Sequence, residues 1–262
     1  MSRKNCFNSA SPYTEADTTL FSTKDMYIMG HTEDGKLRWI DELPPKQKLK
    51  KMHENMHLME SIPFDSKGRF PQLKPYTGSV DFELVAYSDR KKHNGKNQAL
   101  HFFLDDYKFR NPVWYGLEKT TFSIRNYDYY FTPDLSLWVD LPTDFCNIEN
   151  IYRTRFVGAY WQICGYQVIP TASWGNRDSF SYCFEGLPER SILAVCGTGH
   201  CHCSAAKRLF HIALRELEIR KHPILILIYG EEEYIPGLST PVKFLPCFIK
   251  KKIQKWISRQ QR

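Results

Sequence analysis

Residues 191–200 read SILAVCGTGH, a short apolar run followed by a polar, glycine-bearing end, and the chain repeats this arrangement. The related stretches are YYFTPDLSLWVDLP at 129–142, YQVIPTASWG at 166–175 and PILILIYGE at 223–231. Short apolar runs of this kind are typical of buried parallel strands. Because the carboxyl ends of parallel strands lie at one edge of a sheet, we expect the polar ends to meet there around a ligand.

Segments with helical periodicity separate these strands. Apolar residues recur every three or four positions over 147–165, where Gly165 is a stop signal, and again over 204–221. A short helix is also expected at 179–187. This alternation predicts an α/β fold with a mainly parallel central sheet, open or a partial barrel, and flanking helices.

The N-terminal region has a different character. Residues 1–30 are polar and aperiodic, 46–60 have the spacing of a helix, and 62–77 contain three prolines typical of a linker. We therefore predict an irregular, partly helical N-terminal region at 1–78, an α/β core domain at 79–249 and a basic tail at 250–262.

Two further strands are predicted at the start of the core. They are VDFELVAY at 80–87 and QALHFFLDDY at 98–107, separated by a turn signal at Asn94 and Gly95. This turn favours a hairpin, but the two segments also suit separate strands of the larger sheet.

The composition is that of a globular, soluble protein. A chain with 42% hydrophobic and 15% aromatic residues is not disordered, and its apolar runs are far shorter than the roughly 20 residues of a membrane span. The first residues, MSRKNCFNSASPYTEADTT, lack the apolar segment of a secretion signal. A cytoplasmic location follows, and the eight cysteines are expected to be reduced thiols.

Positive charge is concentrated at the C-terminus. Six of the seven net positive charges lie within 250–262, including Lys250, Lys251 and Lys252. Such a tail suits contact with nucleic acid or another anionic surface, although basic tails also serve solubility alone.

Carboxylates at strand ends are the candidate catalytic residues. Asp105, Asp134 and Glu231 each lie near the end of a predicted strand. If they share a cleft, they can hold a divalent metal ion or divide general acid and base roles. The alternative is that they cap helices or bind loop amides.

The segment CGTGHCHCSAAK suggests an anion-binding loop. Gly197, Thr198 and Gly199 precede a predicted helix with Lys207 in its first turn, so backbone N–H groups and the helix dipole favour a phosphate. A tight turn explains the glycines equally well. The cysteines and histidines of 196–203 suit zinc by type, but their spacing matches no known zinc site.

The loop after YQVIPTAS supplies groups for stacking and for binding phosphate. Trp174 offers an aromatic plane and Arg177 a guanidinium, which suit a base, a sugar or a phosphate. The alternative is a tryptophan that closes the end of the sheet. Ser173 lacks the surroundings of a nucleophilic serine.

Several of these words occur in an order that resembles a known family. FTPDLS, RTRFVGAYWQICGYQVIPTASWG, SYCFEGLP and SILAVCGTG together resemble the bacterial and phage domain-of-unknown-function family numbered 4417, over about residues 95–235. The resemblance implies an α/β fold and a phage or mobile-element setting, and it supplies no catalytic residues.

Three functional hypotheses follow. The first is a protein that binds nucleic acid or nucleotide through the strand-end cleft and the tail. The second is a hydrolase or transferase acting on a small phosphorylated or glycosidic substrate, with Asp134 as acid or base. The third is a non-catalytic protein that blocks a host or rival-element factor.

Overall fold

A computed structural model describes residues 30–31, 37–38, 55–140, 143–198 and 203–247, and the chain divides into compact units at 1–60 and 61–262. In the first unit, β1 (Gly30–His31) pairs antiparallel with β2 (Leu37–Arg38). A 3₁₀ helix covers Met56–Ser61. The rest of the helix predicted at 46–60 lies outside the described residues. The predicted boundaries at 78 and 250 stay predictions.

In the described part of the second unit, eight strands form two sheets, and every pairing between these strands is parallel. The strand orders are β3-β4-β5-β6 and β10-β9-β8-β7. This confirms the predicted α/β fold. The strands are β3 (Glu83–Ala86), β4 (Gln98–His101), β5 (Tyr129–Phe131), β6 (Val168–Ile169), β7 (Thr171–Ala172), β8 (Ile192–Cys196), β9 (Leu225–Tyr229) and β10 (Val242–Leu245).

The two sheets meet at Pro170, which lies between β6 and β7. Proline has no N–H group, so the ladder is interrupted there. Its carbonyl still accepts a hydrogen bond from Ala194 N at 2.8 Å, and Thr171 N donates to Thr132 Oγ1 at 2.8 Å. The chain therefore passes directly from one sheet to the other.

The strands curl around a shared core. Inward side chains from both sheets lie in one cluster, which includes Ala99, Phe131, Ile169, Ala194 and Leu227. Two outer strands approach each other, since Lys243 Nζ of β10 donates to Val80 O at 2.6 Å, just before β3. The described strands show no backbone pairing between β3 and β10, so the architecture is a partial barrel.

Helices cover the outer faces of the strands. The helix predicted at 147–165 ends two residues before Gly165, which has φ +85°, and the helix predicted at 204–221 has those bounds. The sequence did not predict the two short helices before β5. Within the described residues, the α-helices are α1 (Arg110–Trp114), α2 (Leu117–Ile124), α3 (Phe145–Ile163) and α4 (Ser204–Lys221), and the further 3₁₀ helices are Tyr87–Lys92, Asp106–Lys108 and Asp178–Ser181.

A hairpin between the first two core strands does not form. β3 and β4 are parallel, with Glu83 beside Gln98. Gly95 has φ +85°, and a Cβ atom there would lie 2.3 Å from Asn126 O. The Asn94-Gly95 signal therefore reflects a close backbone approach to another segment, where only glycine fits.

None of the helices in the described part of the chain has the length and apolar character needed to cross a membrane.

Candidate functional site

A cleft of about 430 Å³ opens at the carboxyl ends of the strands. Residues that follow β4, β5, β7 and β8 line it, and the first turns of α4 form one side. The sequence predicted this edge as the site because parallel strands direct their ends there. The predicted residues that line the cleft are Asp105, Asp134, Trp174 and Thr198.

Asp134 is the most perturbed acid of the cleft. It follows β5 and is half-buried. Burial raises its pKa to about 7, the negative charge of Asp106 acts in the same direction, and a hydrogen bond with the Cys196 thiol opposes them. Near neutral pH the carboxyl group therefore exchanges easily between its protonated and ionised forms, as a general acid or base must.

Cys196 ends β8 beside Asp134. Burial raises the pKa of its thiol to about 12, and the charge of Asp134 adds to this, while hydrogen bonding with Thr198 lowers it. The Sγ atom lies 3.2 Å from Thr198 Oγ1. At neutral pH the thiol is therefore protonated, and it serves as a hydrogen-bond partner of Asp134. It does not suit a nucleophile, because a nucleophilic cysteine needs a lowered pKa.

A pair of opposite charges lies at the rim. Lys108 Nζ is 2.5 Å from Asp105 Oδ2, and the hydrogen bond to Asp105 raises the pKa of Lys108. The Asp105 side chain is 63% exposed. Asp105 thus forms a solvent-exposed ion pair with Lys108. The neighbouring Asp106 instead accepts hydrogen bonds from Ser136 N at 3.1 Å and Ser136 Oγ at 2.9 Å. Asp106 thereby holds the segment that follows Asp134.

The opposite wall of the cleft is apolar and aromatic. Trp174 is half-buried, and its ring centroid lies 5.6 Å from that of Phe210 and 6.4 Å from that of Phe184. Leu135 and Leu209 also line the cleft. Trp174 therefore packs against the domain and at the same time contributes to the cleft surface.

Arg155 fixes the loop behind this wall. The guanidinium, fully buried on α3, donates to the carbonyls of Thr171 at 3.0 Å, Cys183 at 2.9 Å and Glu185 at 3.1 Å. Burial lowers its pKa to about 10, and the three carbonyls compensate for the lost hydration. The 183–185 loop is thereby tied to β7.

Other predicted site residues lie away from the cleft or are engaged. Gly197 N donates to Tyr229 O, and Lys207 forms a 2.6 Å ion pair with Glu233. Arg177 and Glu231 are exposed and do not line the cleft. Their predicted roles in anion binding and catalysis stay predictions. Gly199, Lys250, Lys251 and Lys252 lie outside the described residues.

The described residues contain no group of three or more histidine, cysteine, aspartate or glutamate side chains placed to hold a metal ion. Cys203 has another contact, since its Sγ accepts a hydrogen bond from Ala206 N at 3.4 Å at the start of α4. His200, Cys201 and His202 lie outside the described residues.

Comparison with known proteins matches residues 62–237 to a family model described as Domain of unknown function (DUF4417). The chain belongs to this family. The DUF4417 match starts at residue 62, before the stretch in which the sequence words first pointed to it, and therefore includes the proline-rich segment that leads into the barrel.

Two phage proteins are similar to this DUF4417 chain. The Gene 1 protein of Mycobacterium phage D29 is 37% identical over 197 residues, which cover 74% of this chain and 72% of that protein. The Gene 1 protein of Mycobacterium phage L5 is 35% identical over 211 residues, covering 79% and 90%. No solved structure matches. The predicted phage setting is confirmed.

Two influences on Asp134 escaped the sequence reasoning. Cys196 was considered only with the cysteines and histidines of 196–203, which suit zinc by type, and Asp106 was not among the three candidate catalytic carboxylates. Both lie near the end of a predicted strand, as Asp134 does, so their position at the shared edge was the available signal.

Proposed function

We propose that the chain is an enzyme that acts on a small, uncharged substrate of the glycoside type, with Asp134 as its general acid or base. One observation carries this proposal: burial raises the pKa of Asp134 to about 7 inside an open cleft. A carboxyl group titrating near neutral pH in a cleft is a marker of acid and base catalysis.

The charge of the cleft favours an uncharged substrate over a phosphorylated one. The charged groups among its described lining residues are Asp105, Lys108 and Asp134. The single cation among them, Lys108, is already paired with Asp105. These residues would present a phosphate group with two carboxyl groups and no unpaired cation. A sugar, by contrast, is compatible with the cleft, because its hydroxyl groups can hydrogen-bond with the carboxyl groups and its ring can pack on the aromatic wall.

The proposal is tested with a panel of 4-nitrophenyl glycosides. We expect turnover whose rate changes with an apparent pKa near 7, and the Asp134→Asn variant should lose about 100-fold or more. Asp81→Asn is the matched control, because Asp81 is exposed and does not line the cleft. No turnover on any glycoside, or an Asp134→Asn rate equal to that of the wild type, would contradict the proposal.

Nucleic-acid binding is the second candidate function. Trp174 favours it, since an aromatic ring that lines the cleft suits stacking on a base. The predicted basic tail would supply the phosphate contacts. In that case, the affinity for single-stranded DNA falls steeply with salt, and removal of residues 250–262 weakens it and flattens its salt dependence. Equal affinity of both proteins across a salt titration would remove this candidate.

A further inference from the structure

Positively charged side chains gather around the amino ends of β4 and β5. They come from the segment before β4, where residues 89–97 read DRKKHNGKN, and from the segment 125–128 before β5. Residues 89–97 carry four positive side chains and one negative, although six of the chain's seven net charges lie within 250–262. None of these cations lines the cleft. We call this group the amino-end basic surface, and its cations are Arg90, Lys91, Lys92, Lys96 and Arg125.

Hydrogen bonds hold the two segments against each other. Asp128 N donates to Gly95 O at 3.1 Å, and Asn97 N donates to Asp128 Oδ2 at 2.6 Å. The Tyr127 hydroxyl group donates to Arg90 O at 2.8 Å. The fold therefore brings cations that lie about 30 positions apart in the chain onto one surface, and it fixes the backbone that carries them.

The two arginines of this surface are held in the same way. The Arg90 guanidinium lies 3.9 Å from the centroid of the Tyr87 ring and donates to Tyr87 O at 2.9 Å. The Arg125 guanidinium lies 3.9 Å from the centroid of the Phe122 ring and donates to Phe122 O at 2.8 Å. Each contact fixes the guanidinium plane and engages one of its five donors. Such a preorganised group loses less entropy when it binds a phosphate, whose oxygens match its donors.

The carboxylates near these cations have partners of their own. Buried Asp89 forms a 2.5 Å ion pair with Lys92, and Glu83 Oε2 accepts a hydrogen bond from Gln98 Nε2 at 3.0 Å. Asp128 accepts from Asn97 N, as described above. The remaining four cations form no ion pair with any residue that the structure describes; they are Arg90, Lys91, Lys96 and Arg125. Their charge is therefore available to an external anion.

We propose that the amino-end basic surface binds the phosphate backbone of double-stranded nucleic acid, without reading its sequence. Unpaired cations on a fixed surface suit phosphates, which supply most of the affinity in such contacts. Residues 90–97 contain no apolar side chain to insert between lipids, so an anionic membrane fits less well. The surface lies apart from the cleft, and the inference does not depend on glycoside chemistry.

The test measures fluorescence anisotropy of a labelled duplex of about 20 base pairs with the full-length protein, starting at about 50 mM salt. We expect Lys91→Ala/Lys96→Ala to bind at least about tenfold more weakly, and the slope of log affinity against log salt to shrink by about 2. Both lysines are exposed, so the variant should fold, which its circular dichroism and Tm will check. The matched control is Lys67→Ala/Arg69→Ala, which removes two exposed cations from the 65–70 loop and should change the affinity less than about twofold.

Two results would overturn the proposal outright. One is a wild-type protein that does not bind the duplex at about 50 mM salt, and the other is an equal loss of affinity in the two double variants, which would indicate a response to net charge alone. Vesicles that contain phosphatidylserine are tested in parallel. If Lys91→Ala/Lys96→Ala weakened binding to vesicles and left the affinity for the duplex unchanged, the surface would be a membrane contact and the proposal would be wrong.

Discussion

The two ends of the barrel are built in different ways. At the amino end, Tyr76 is buried in the core, its N–H donates to Ser191 Oγ at 2.9 Å, and its carbonyl accepts from Ile192 N at 2.8 Å. Its hydroxyl group donates to Ser79 O at 2.6 Å. At the carboxyl end, Asp134 has a strongly raised pKa, and Ser173 Oγ is buried without a hydrogen-bond partner among the described residues.

This difference separates stability from function. A polar group that is fully hydrogen-bonded stabilises the fold, whereas a desolvated carboxyl group and an unpaired hydroxyl group destabilise it unless a ligand meets them. In barrels of parallel strands, catalytic groups concentrate at the carboxyl end and structural ones at the amino end. Under the proposed function, the chain follows that division.

Buried charges show the same contrast. Arg155 loses hydration, but three backbone carbonyls accept hydrogen bonds from its guanidinium. Asp134 interacts with one neutral thiol and lies near a second carboxylate, Asp106. Three hydrogen bonds to backbone carbonyls indicate a structural role for Arg155, whereas the raised pKa of Asp134 fits the proposed role in chemistry.

The largest effect on stability is expected at the amino end of the barrel. Tyr76→Ala removes a ring from the core and should lower the free energy of unfolding by about 3–5 kcal/mol. The remaining folded protein should keep its turnover per active site, because Tyr76 does not line the cleft. Urea unfolding and active-site-normalised rates measure the two quantities.

The matched comparison for Tyr76 is Tyr76→Phe, which keeps the ring and loses only the hydrogen bond to Ser79 O. Its loss of stability should be about 0.5–1.5 kcal/mol. If Tyr76→Ala were to unfold no more easily than Tyr76→Phe, the stability of the amino end would not depend on packing of the ring. The contrast between the two ends of the barrel would then fail.

Much of the fold could be predicted from the sequence, because buried parallel strands require continuous apolar runs. SILAV and ILILIY became β8 and β9, and α4 has its predicted bounds. The helices at 110–124 could not be predicted, since they are short and include Pro112. The parallel pairing of β3 with β4 depends on the contact of Gly95 with Asn126, which local sequence does not reveal.

The position of the candidate site could be predicted from the sequence, but the residues that line it could be predicted only in part. Asp134 and Trp174 line the cleft because both directly follow strands. Arg177 and Glu231 have the same spacing in sequence but lie in loops whose direction depends on tertiary packing. The unpaired state of Ser173 is also hidden, since the neighbouring Thr171 finds its partner 39 positions away in the chain.

Replacing Asp134 with an uncharged residue should change the free energy of unfolding less than Tyr76→Ala does. The change should be an increase, whereas Tyr76→Ala causes a decrease. The folded-state pKa of Asp134 is about 7, above its value of 3.8 in the unfolded chain. The folded protein therefore retains a proton that the unfolded chain releases, and the carboxyl group destabilises the fold increasingly as pH rises from about 4 to 7. Above pH 7 this cost is constant.

Asp134→Asn should consequently raise the free energy of unfolding at pH 8 by about 1–2 kcal/mol, less than the full shift implies because the cleft admits water. The gain should shrink toward pH 4 and disappear below about pH 3, where both states hold the proton. Urea unfolding of the two proteins at each pH measures it, and the exposed Asp81→Asn control should show no gain at either pH. Equal or lower stability of Asp134→Asn at pH 8 would show that the carboxylate is well solvated. The carboxyl end of the barrel would then carry no more destabilising polar groups than the amino end.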